Sequence, residues 1–181
     1  MRTKDIIHTE KKYILQTYGR PEFVLERGNG VYLFDTEGNR YLDFVSGLAV
    51  NALGYGDYEV LRAIEDQAGM LMHVSNLYHT IPSVKLAELL VENSFCDRVF
   101  FCNSGAEANE AAIKLARKYA HYQRGIDQPV ILTAKASFHG RTLATVSATG
   151  QPNYHKGFEP LVQGFEFFSY NDFEAFEKLC K

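Results

Sequence analysis

The spacing of apolar and polar positions changes character partway along the chain. Residues 3–17 fit a single helix, and the breaker residues of 18–21 end it. Turn signals at 28–30 (GNG) and 37–39 (EGN) then separate three short β-prone runs, which predicts an antiparallel meander. We therefore predict that residues 1–47 form a small unit of one helix and one meander.

Beyond residue 47 the patterns alternate between helix and strand. The predicted strands are short apolar runs, and the predicted helices carry apolar residues on one face. Because such alternation is typical of a parallel sheet with helices, residues 48–181 are predicted to form an α/β domain. The predicted strands span 98–102, 129–133 and 164–168, and the predicted helices span 57–72, 82–92 and 106–121, with a last helix from Asn171.

The composition is that of an ordinary globular domain, with 46% apolar and 23% charged residues among 181. A chain of this length is expected to bury a sizeable core unaided. Its net charge of −3 leaves no basic excess to neutralise phosphates, so we expect no nucleic-acid partner. No apolar run is long enough to span a bilayer, and the polar N-terminus has no signal-peptide core, so we expect no membrane association.

The cysteine and histidine residues indicate a reducing compartment and no metal site. The three cysteines, Cys96, Cys102 and Cys180, form no CxxC pair, so we expect reduced thiols in a cytoplasmic protein. Outside the segment 137–142, no histidine has metal-ligand spacing with a second His or Cys, and no metal is expected.

The first segment that can carry chemistry is Asn103-Ser104-Gly105, between the strand 98–102 and a long helix. Ser104 or Asn103 can cap that helix, and Gly105 has no Cβ, so a ligand can approach its N–H group closely. Unpaired N–H groups at a helix start that follows a parallel strand bind anions. A plain strand–turn–helix joint with a good cap explains the same residues, and both interpretations stay open here.

The second segment is SFHGRT, residues 137–142, just beyond the predicted strand 129–133. Phe138 can stack on a flat heterocycle, and Arg141 can bind a carboxylate through two parallel hydrogen bonds. Each residue taken singly has an ordinary alternative, which is a core position for Phe138 and a surface ion pair for Arg141.

In their order and spacing, several segments together resemble the class III, pyridoxal-phosphate-dependent aminotransferases, in particular the acetylornithine aminotransferase branch. The resemblance implies an α/β fold, namely the N-terminal part of a fold-type I transferase. That part contains an incomplete, mainly parallel sheet with helices and a small N-terminal antiparallel meander. The segments that carry the resemblance are GNGVYLFDTEGNRYLDF, SGLAVNALG, HVSNLYHT, NSGAEANEAAIKLARKYA and SFHGRT.

The resemblance also implies roles for particular residues. Gly105 and Ala106 would give backbone N–H groups to the phosphate of pyridoxal 5'-phosphate, with Ser104 beside them. Phe138 would cover one face of the pyridine ring, and Arg141 would hold the substrate α-carboxylate. Residues 1–47 would then belong to the small domain, and residues 48–181 would be the first part of the large cofactor-binding domain.

The implied reaction moves an amino group from N-acetylornithine, or a related ω-amine, to 2-oxoglutarate, as in arginine biosynthesis. Members of the family are homodimers, and residues 75–78 are expected near the dimer interface. Ornithine aminotransferases place a tyrosine where this chain has Leu48, which leans away from ornithine as the donor. Two alternatives stay open: another class III enzyme, such as an ornithine or succinylornithine aminotransferase, and a truncated, non-catalytic binding or assembly module.

The family's Schiff-base lysine and the acidic partner of the pyridine nitrogen are expected downstream of residue 181. No catalytic residue is therefore assigned within the chain. The sheet is also expected to have an open edge and uncovered apolar helix faces, which favour association. We expect the isolated chain to be poorly soluble or to need its missing half, and a monomer with a sharp melting transition would contradict this.

We predict that the isolated chain has no appreciable transaminase activity, because the proton transfer and the electron withdrawal need the absent lysine and acid. Incubation of the purified chain with pyridoxal phosphate, acetylornithine and 2-oxoglutarate should give no glutamate above a protein-free control. Steady glutamate production would contradict the prediction.

Overall fold

The computed structural model describes residues 2–180, and the chain forms two compact units that divide between His79 and Thr80. The first unit confirms the predicted helix and antiparallel meander. Its helix ends earlier than the pattern predicts, at Tyr13, because Ile14 adopts an extended backbone. The elements are helix α1 (Thr3–Tyr13) and strands β1 (Leu25–Asn29), β2 (Tyr32–Asp35) and β3 (Arg40–Leu42), in the sheet order β1-β2-β3.

A buried carboxylate closes the turn between β2 and β3. Asp35 accepts hydrogen bonds from the N–H groups of Glu37 and Asn39, from the Asn39 side-chain amide, and from the Tyr41 hydroxyl, all within 2.7–2.9 Å. These donors, the Asn39 side chain above all, lower the pKa of Asp35 to about 2. The carboxylate is therefore ionised and saturated with donors, which fixes the turn.

A left-handed turn, α2 (Ser46–Ala49), follows β3. Its four residues have φ angles of 49° to 64°, a region that costs a residue with a Cβ about 1–2 kcal/mol. Asp43 holds the entrance of the turn, because its carboxylate accepts from the N–H groups of Val45 and Ser46 and from the Tyr55 hydroxyl, at 2.7–3.0 Å. The bond from Tyr55 lowers the pKa of Asp43, so the carboxylate that supports the strained turn stays charged.

The rest of the first unit is a helix and a short 3-10 turn. Helix α3 (Tyr58–Met70) begins where the sequence predicts it, because the carboxylate of Asp57 accepts a hydrogen bond from the Val60 N–H at 3.0 Å. Such an N-cap satisfies one of the donors that a helix start leaves unpaired. A 3-10 turn (Ser75–Leu77) lies in the HVSNLYHT segment.

The second unit has part of the alternation that the sequence predicts. Strands β4 (Ile131–Ala134) and β5 (Phe165–Phe168) pair in parallel, with Ile131 opposite Phe165. The long helix α5 (Gly105–Arg124) is followed by Gly125, whose φ of 64° is a left-handed conformation that glycine adopts without steric cost. The elements are α4 (Ile81–Glu92), α5 (Gly105–Arg124), β4 (Ile131–Ala134), α6 (Leu143–Ala148), β5 (Phe165–Phe168) and α7 (Phe173–Leu179).

The predicted buried strand at 98–102 is wrong. This segment has no regular secondary structure, and the side chains of Phe100 and Phe101 are 70% and 45% exposed. A strand exists only when its backbone finds a hydrogen-bonded neighbour, and β4 and β5 pair with each other rather than with 98–102. The apolar composition of 98–102 is typical of a buried strand, but none of the described segments pairs with its backbone.

The chain leaves much of its apolar surface open. Its accessible surface is 15160 Å², whereas a compact monomer of this mass exposes roughly 8,900 Å². Ile113, Val146 and Ala148 are the only buried apolar residues among 2–180. The expectation that these 181 residues bury a sizeable core unaided is therefore wrong. The expected uncovered helix faces are present, for example on α4, where Ile81, Val84 and Leu89 are all more than half exposed.

Three further observations bear on partners. Among residues 2–180, no helix is both long enough and apolar enough to cross a membrane. The same residues contain no cluster of three or more His, Cys, Asp or Glu side chains that could hold a metal ion. All three cysteines are exposed free thiols.

We predict that NMR titration of the Asp35 carboxyl carbon gives a pKa of about 2. Asn39→Ala should raise this pKa, because the Asn39 side chain stabilises the carboxylate most. The folded-state pKa lies below the unfolded value of about 3.9, so the stabilisation is complete above about pH 4 and is lost as the pH falls toward about 2. Asn171→Ala, in the second unit, is the control and should leave the pKa of Asp35 unchanged. Titration of wild-type Asp35 near pH 4 would contradict the prediction.

Candidate functional site

The start of helix α5 keeps two backbone donors unpaired. Ser104 is the N-cap, and its hydroxyl accepts a hydrogen bond from the Glu107 N–H at 3.2 Å. The carboxylate of Glu107 in turn accepts from the backbone and side-chain amides of Asn103. The N–H groups of Gly105 and Ala106, here called the amide pair, have no acceptor among residues 2–180. The sequence thus caps the third donor of the helix and leaves the first two for a ligand.

The space around the amide pair is open. Gly105 is exposed, and a Cβ built on it would meet nothing within 4 Å. The amide pair lies at the positive end of a 20-residue helix, where an anion gains about 0.3–1 kcal/mol from the helix dipole alone. This arrangement fits a phosphate group, which is the ligand that the resemblance implies for Ser104, Gly105 and Ala106.

The SFHGRT segment, here called the 137–142 loop, lies directly on this helix start. The backbone of Gly140 approaches Ala106 so closely that a Cβ on Gly140 would be 2.7 Å from the Ala106 Cβ. Gly140 also has a φ of +136°, which a residue with a side chain rarely adopts. Glycine is therefore required at position 140 for the loop to reach the helix.

Two side chains one turn further along α5 fasten the same loop. The Asn109 side-chain amide donates to the carbonyl oxygen of His139 at 2.8 Å, and the Thr142 hydroxyl donates to the Glu110 carboxylate. The loop is thus tied to α5 at two points beyond the Gly140 contact. The sequence indicates Glu110 only as an acidic residue that complements the helix dipole, and it gives no signal for Asn109, because a polar residue in the second turn of an amphipathic helix is ordinary.

A layer of hydroxyl groups supports the loop from the side of α6. Thr145 and Thr149 are fully buried, and their hydroxyl oxygens accept from the N–H groups of Thr142 (3.0 Å) and His139 (3.1 Å). The Thr149 hydroxyl itself donates to the Thr145 carbonyl at 2.8 Å. Because each buried hydroxyl has a partner, this polar layer holds a single loop conformation.

The loop presents an aromatic ring and a guanidinium group to solvent. Phe138 is 54% exposed and meets Tyr154 edge to face, with ring centroids 5.8 Å apart. The Arg141 guanidinium carbon lies 4.8 Å from the Tyr154 centroid and 5.7 Å from the Phe138 centroid. These contacts orient Arg141 over two rings. Tyr154 has no signal in the sequence that marks it as a site residue, and a 3-10 turn (Pro152–Tyr154) brings it to the loop.

The structure therefore brings the predicted residues of both segments onto one helix start within the second unit. The arrangement offers unpaired amide donors for a phosphate, an exposed ring for a flat heterocycle, and a permanently charged fork for a carboxylate. The binding roles of Ser104, Gly105, Ala106, Phe138 and Arg141 remain predictions.

We predict that Gly140→Ala lifts the loop from α5, because the added Cβ meets Ala106 and the positive φ becomes strained. A cost of about 1–3 kcal/mol for such overpacking corresponds to about 5- to 150-fold more opening of the loop, read as faster tryptic cleavage after Arg141 in the folded chain. Gly157→Ala is the matched control, because Gly157 has a φ of +84° but open space around it. Equal cleavage rates in the two variants would contradict a specific role for the Gly140 contact.

Comparison with known proteins gives a consistent picture. The family model for class-III aminotransferases matches residues 13–180. The chain is 59% identical over 165 residues to the acetylornithine aminotransferase of Prochlorococcus marinus (strain MIT 9313). It is 58% identical over 166 residues to that of Synechocystis sp. (strain ATCC 27184 / PCC 6803 / Kazusa). Each alignment covers 91% of this chain but only 40% and 39% of the relatives, so the chain spans about two-fifths of their length.

Solved structures share the fold. The ornithine aminotransferase from Toxoplasma gondii ME49 superposes with a TM-score of 0.93 at 29% identity, covering 99% of this chain and 43% of that protein. N-acetylornithine aminotransferase from Stenotrophomonas maltophilia K279a gives 0.75 at 36% identity, covering 96% and 40%. The predicted fold class, the N-terminal part of a fold-type I transferase, is therefore confirmed. By sequence and by fold, the chain belongs to the class III aminotransferases.

Proposed function

We propose that this chain forms the phosphate- and carboxylate-binding part of a pyridoxal-phosphate-dependent aminotransferase. In our proposal the complete enzyme is a cytoplasmic homodimer in arginine biosynthesis, and it moves an amino group from N-acetylornithine to 2-oxoglutarate. The observation that carries the proposal is the unpaired amide pair of Gly105 and Ala106, with the 137–142 loop fastened against it. Relatives named acetylornithine aminotransferase, 53–59% identical to the chain, support the donor.

The described residues fit the cofactor. Its phosphate is an anion that the amide pair can bind, and nothing within 4 Å of a Cβ built on Gly105 would obstruct it. Its pyridine ring is a flat heterocycle that the exposed ring of Phe138 can cover. When bound, pyridoxal phosphate supplies the carbon that takes up the amino group and a ring that withdraws electrons from the reacting centre.

The chain's own residues would bind and orient. Ser104 holds the first turn of α5 open toward the phosphate, because its hydroxyl engages the Glu107 N–H and leaves the two preceding donors available. Arg141 would bind the donor's α-carboxylate through two parallel hydrogen bonds, which the planar fork of a guanidinium group allows. Tyr154 and Phe138 restrict the guanidinium to one side of the loop.

The choice of donor rests on similarity and on one loop position. Relatives named acetylornithine aminotransferase are 53–59% identical to the chain, and among the solved structures the N-acetylornithine aminotransferase is 36% identical and the ornithine aminotransferase 29%. The resemblance adds that ornithine aminotransferases place a tyrosine where this chain has Leu48, which leans away from ornithine as the donor. Both points favour N-acetylornithine.

We predict that Gly105→Pro weakens binding of pyridoxamine 5'-phosphate by about tenfold or more, the effect of one hydrogen bond to a charged group. Proline is tolerated at the first position of a helix, and the extended Ser104 before it is compatible, so the variant removes one N–H while keeping the helix. Gly105→Ala is the matched control, because it keeps the N–H and its Cβ meets open space. The amine form of the cofactor is used because it does not react with lysines, and binding is followed by its fluorescence.

Binding that is saturable in the wild-type chain and in Gly105→Ala, but weakened in Gly105→Pro, supports the proposed phosphate site. Absence of saturable binding in the wild-type chain, or equal affinity in all three proteins, would contradict it.

A further inference from the structure

The 137–142 loop is fastened to α5 at some residues and exposes the side chains of others. His139 and Thr142 are hydrogen-bonded to α5, and Gly140 lies against Ala106. Phe138 directly precedes one fastened residue and Arg141 directly precedes the other, and both side chains are exposed. The positions of Phe138 and Arg141, here called the recognition residues, therefore depend on neighbours that are hydrogen-bonded to α5.

We propose that Asn109 and Glu110 are positioning residues that set the distance between the amide pair and the two recognition side chains, Phe138 and Arg141. The inference rests on the proposed function, because it assigns these residues to the same cofactor and substrate site. Asn109 and Glu110 touch neither ligand in this proposal and act through the loop.

The hydrogen bond from Asn109 links α5 to the 137–142 loop. Its amide reaches the His139 carbonyl across 30 positions of sequence and is partly buried. The same His139 residue donates its N–H to the Thr149 hydroxyl on the other side. His139 is thus held from α5 and from the end of α6 at once. Without Asn109, its carbonyl loses its partner in a partly buried place, where an unpaired acceptor is costly.

Glu110 fixes the other end of the loop. Its carboxylate accepts from the Thr142 hydroxyl, and that hydroxyl lies 2.8 Å from the hydroxyl of the fully buried Thr145. A chain of polar contacts therefore runs from α5 through Thr142 into α6. Arg141, the residue before Thr142, lies between this tie and the Gly140 contact.

One rigid element carries both halves of the arrangement. The amide pair belongs to the first turn of α5, and Asn109 and Glu110 follow one turn later on the same helix. A helix keeps the distances between its residues fixed. The hydrogen bonds that join Asn109 and Glu110 to the loop therefore also fix the separation between the N–H groups of the amide pair and Phe138. Loss of a tie should therefore weaken ligands that span both groups more than ligands that use the amide pair alone.

Two probes separate these contributions in the full 181-residue chain. Inorganic phosphate uses the amide pair alone, whereas pyridoxamine 5'-phosphate uses the amide pair and the loop. We expect Asn109→Ala to lower the affinity for pyridoxamine 5'-phosphate relative to phosphate by about fivefold, the effect of one neutral hydrogen bond. Asp172→Ala is the control: it removes the N-cap of α7, where Asp172 accepts from the Ala175 N–H at 2.9 Å, and should leave the ratio unchanged.

A second pair of variants covers the case in which Asn109→Ala does not fold, as judged by circular dichroism. Thr142→Val removes the hydroxyl that donates to Glu110 at nearly constant volume, and Thr142→Ser keeps it. We expect Thr142→Val to lower the affinity ratio and Thr142→Ser to restore it. Faster amide hydrogen exchange at residues 139–142 should accompany the loss.

The outcomes are distinct. An unchanged ratio in Asn109→Ala and Thr142→Val, or an equal loss of both affinities, overturns the positioning role and leaves the proposed function standing. A wild-type chain that binds neither probe overturns the proposed function, and the positioning role falls with it.

Discussion

The candidate site depends on one close backbone contact, between Gly140 and the second residue of helix α5, Ala106. Two segments that are far apart in the sequence become one surface because no side chain stands between them at this point. The contact tolerates only glycine, both for lack of space and for the positive φ. Every further tie of the loop to α5, through Asn109 and Glu110, follows from this approach.

The electrostatics of the site follow from how the helix start is capped. The Ser104 hydroxyl accepts from the N–H of Glu107, the third backbone donor of the helix, and the Glu107 carboxylate accepts from the N–H before Ser104. The N–H groups of Gly105 and Ala106 therefore stay unpaired. Two charge-assisted hydrogen bonds are worth on the order of 3–6 kcal/mol, which alone gives weak binding. In the proposed site, tight binding of the cofactor would also need the ring of Phe138, so the hydrogen bonds that fasten the 137–142 loop to α5 become important.

The sequence pattern predicted those helices, strands and turns that depend on neighbouring residues in the chain. The meander follows from two glycine-containing turns, the start of α3 follows from Asp57, and β4 and β5 follow from short apolar runs. The strand at 98–102 failed because a strand also needs a neighbour, which a pattern cannot supply. Its apolar residues are exposed here, as Phe100 shows.

The sequence found the residues of the site that have unusual chemistry and missed the residues that support them. Gly105, Phe138 and Arg141 stand out by type and position at the ends of predicted elements. Tyr154 and Asn109 do not, because their importance arises only when the fold brings them to the loop. Many large apolar side chains of each unit are exposed. Which apolar side chains become buried likewise depends on the fold rather than on any local pattern.

The most direct test of this account is an amide NMR titration of the chain with pyridoxamine 5'-phosphate. We expect the largest shifts at the N–H groups of Gly105 and Ala106, which would donate hydrogen bonds to the phosphate, with smaller shifts along the 137–142 loop. Saturable binding that leaves these two resonances in place and moves others instead would contradict the account.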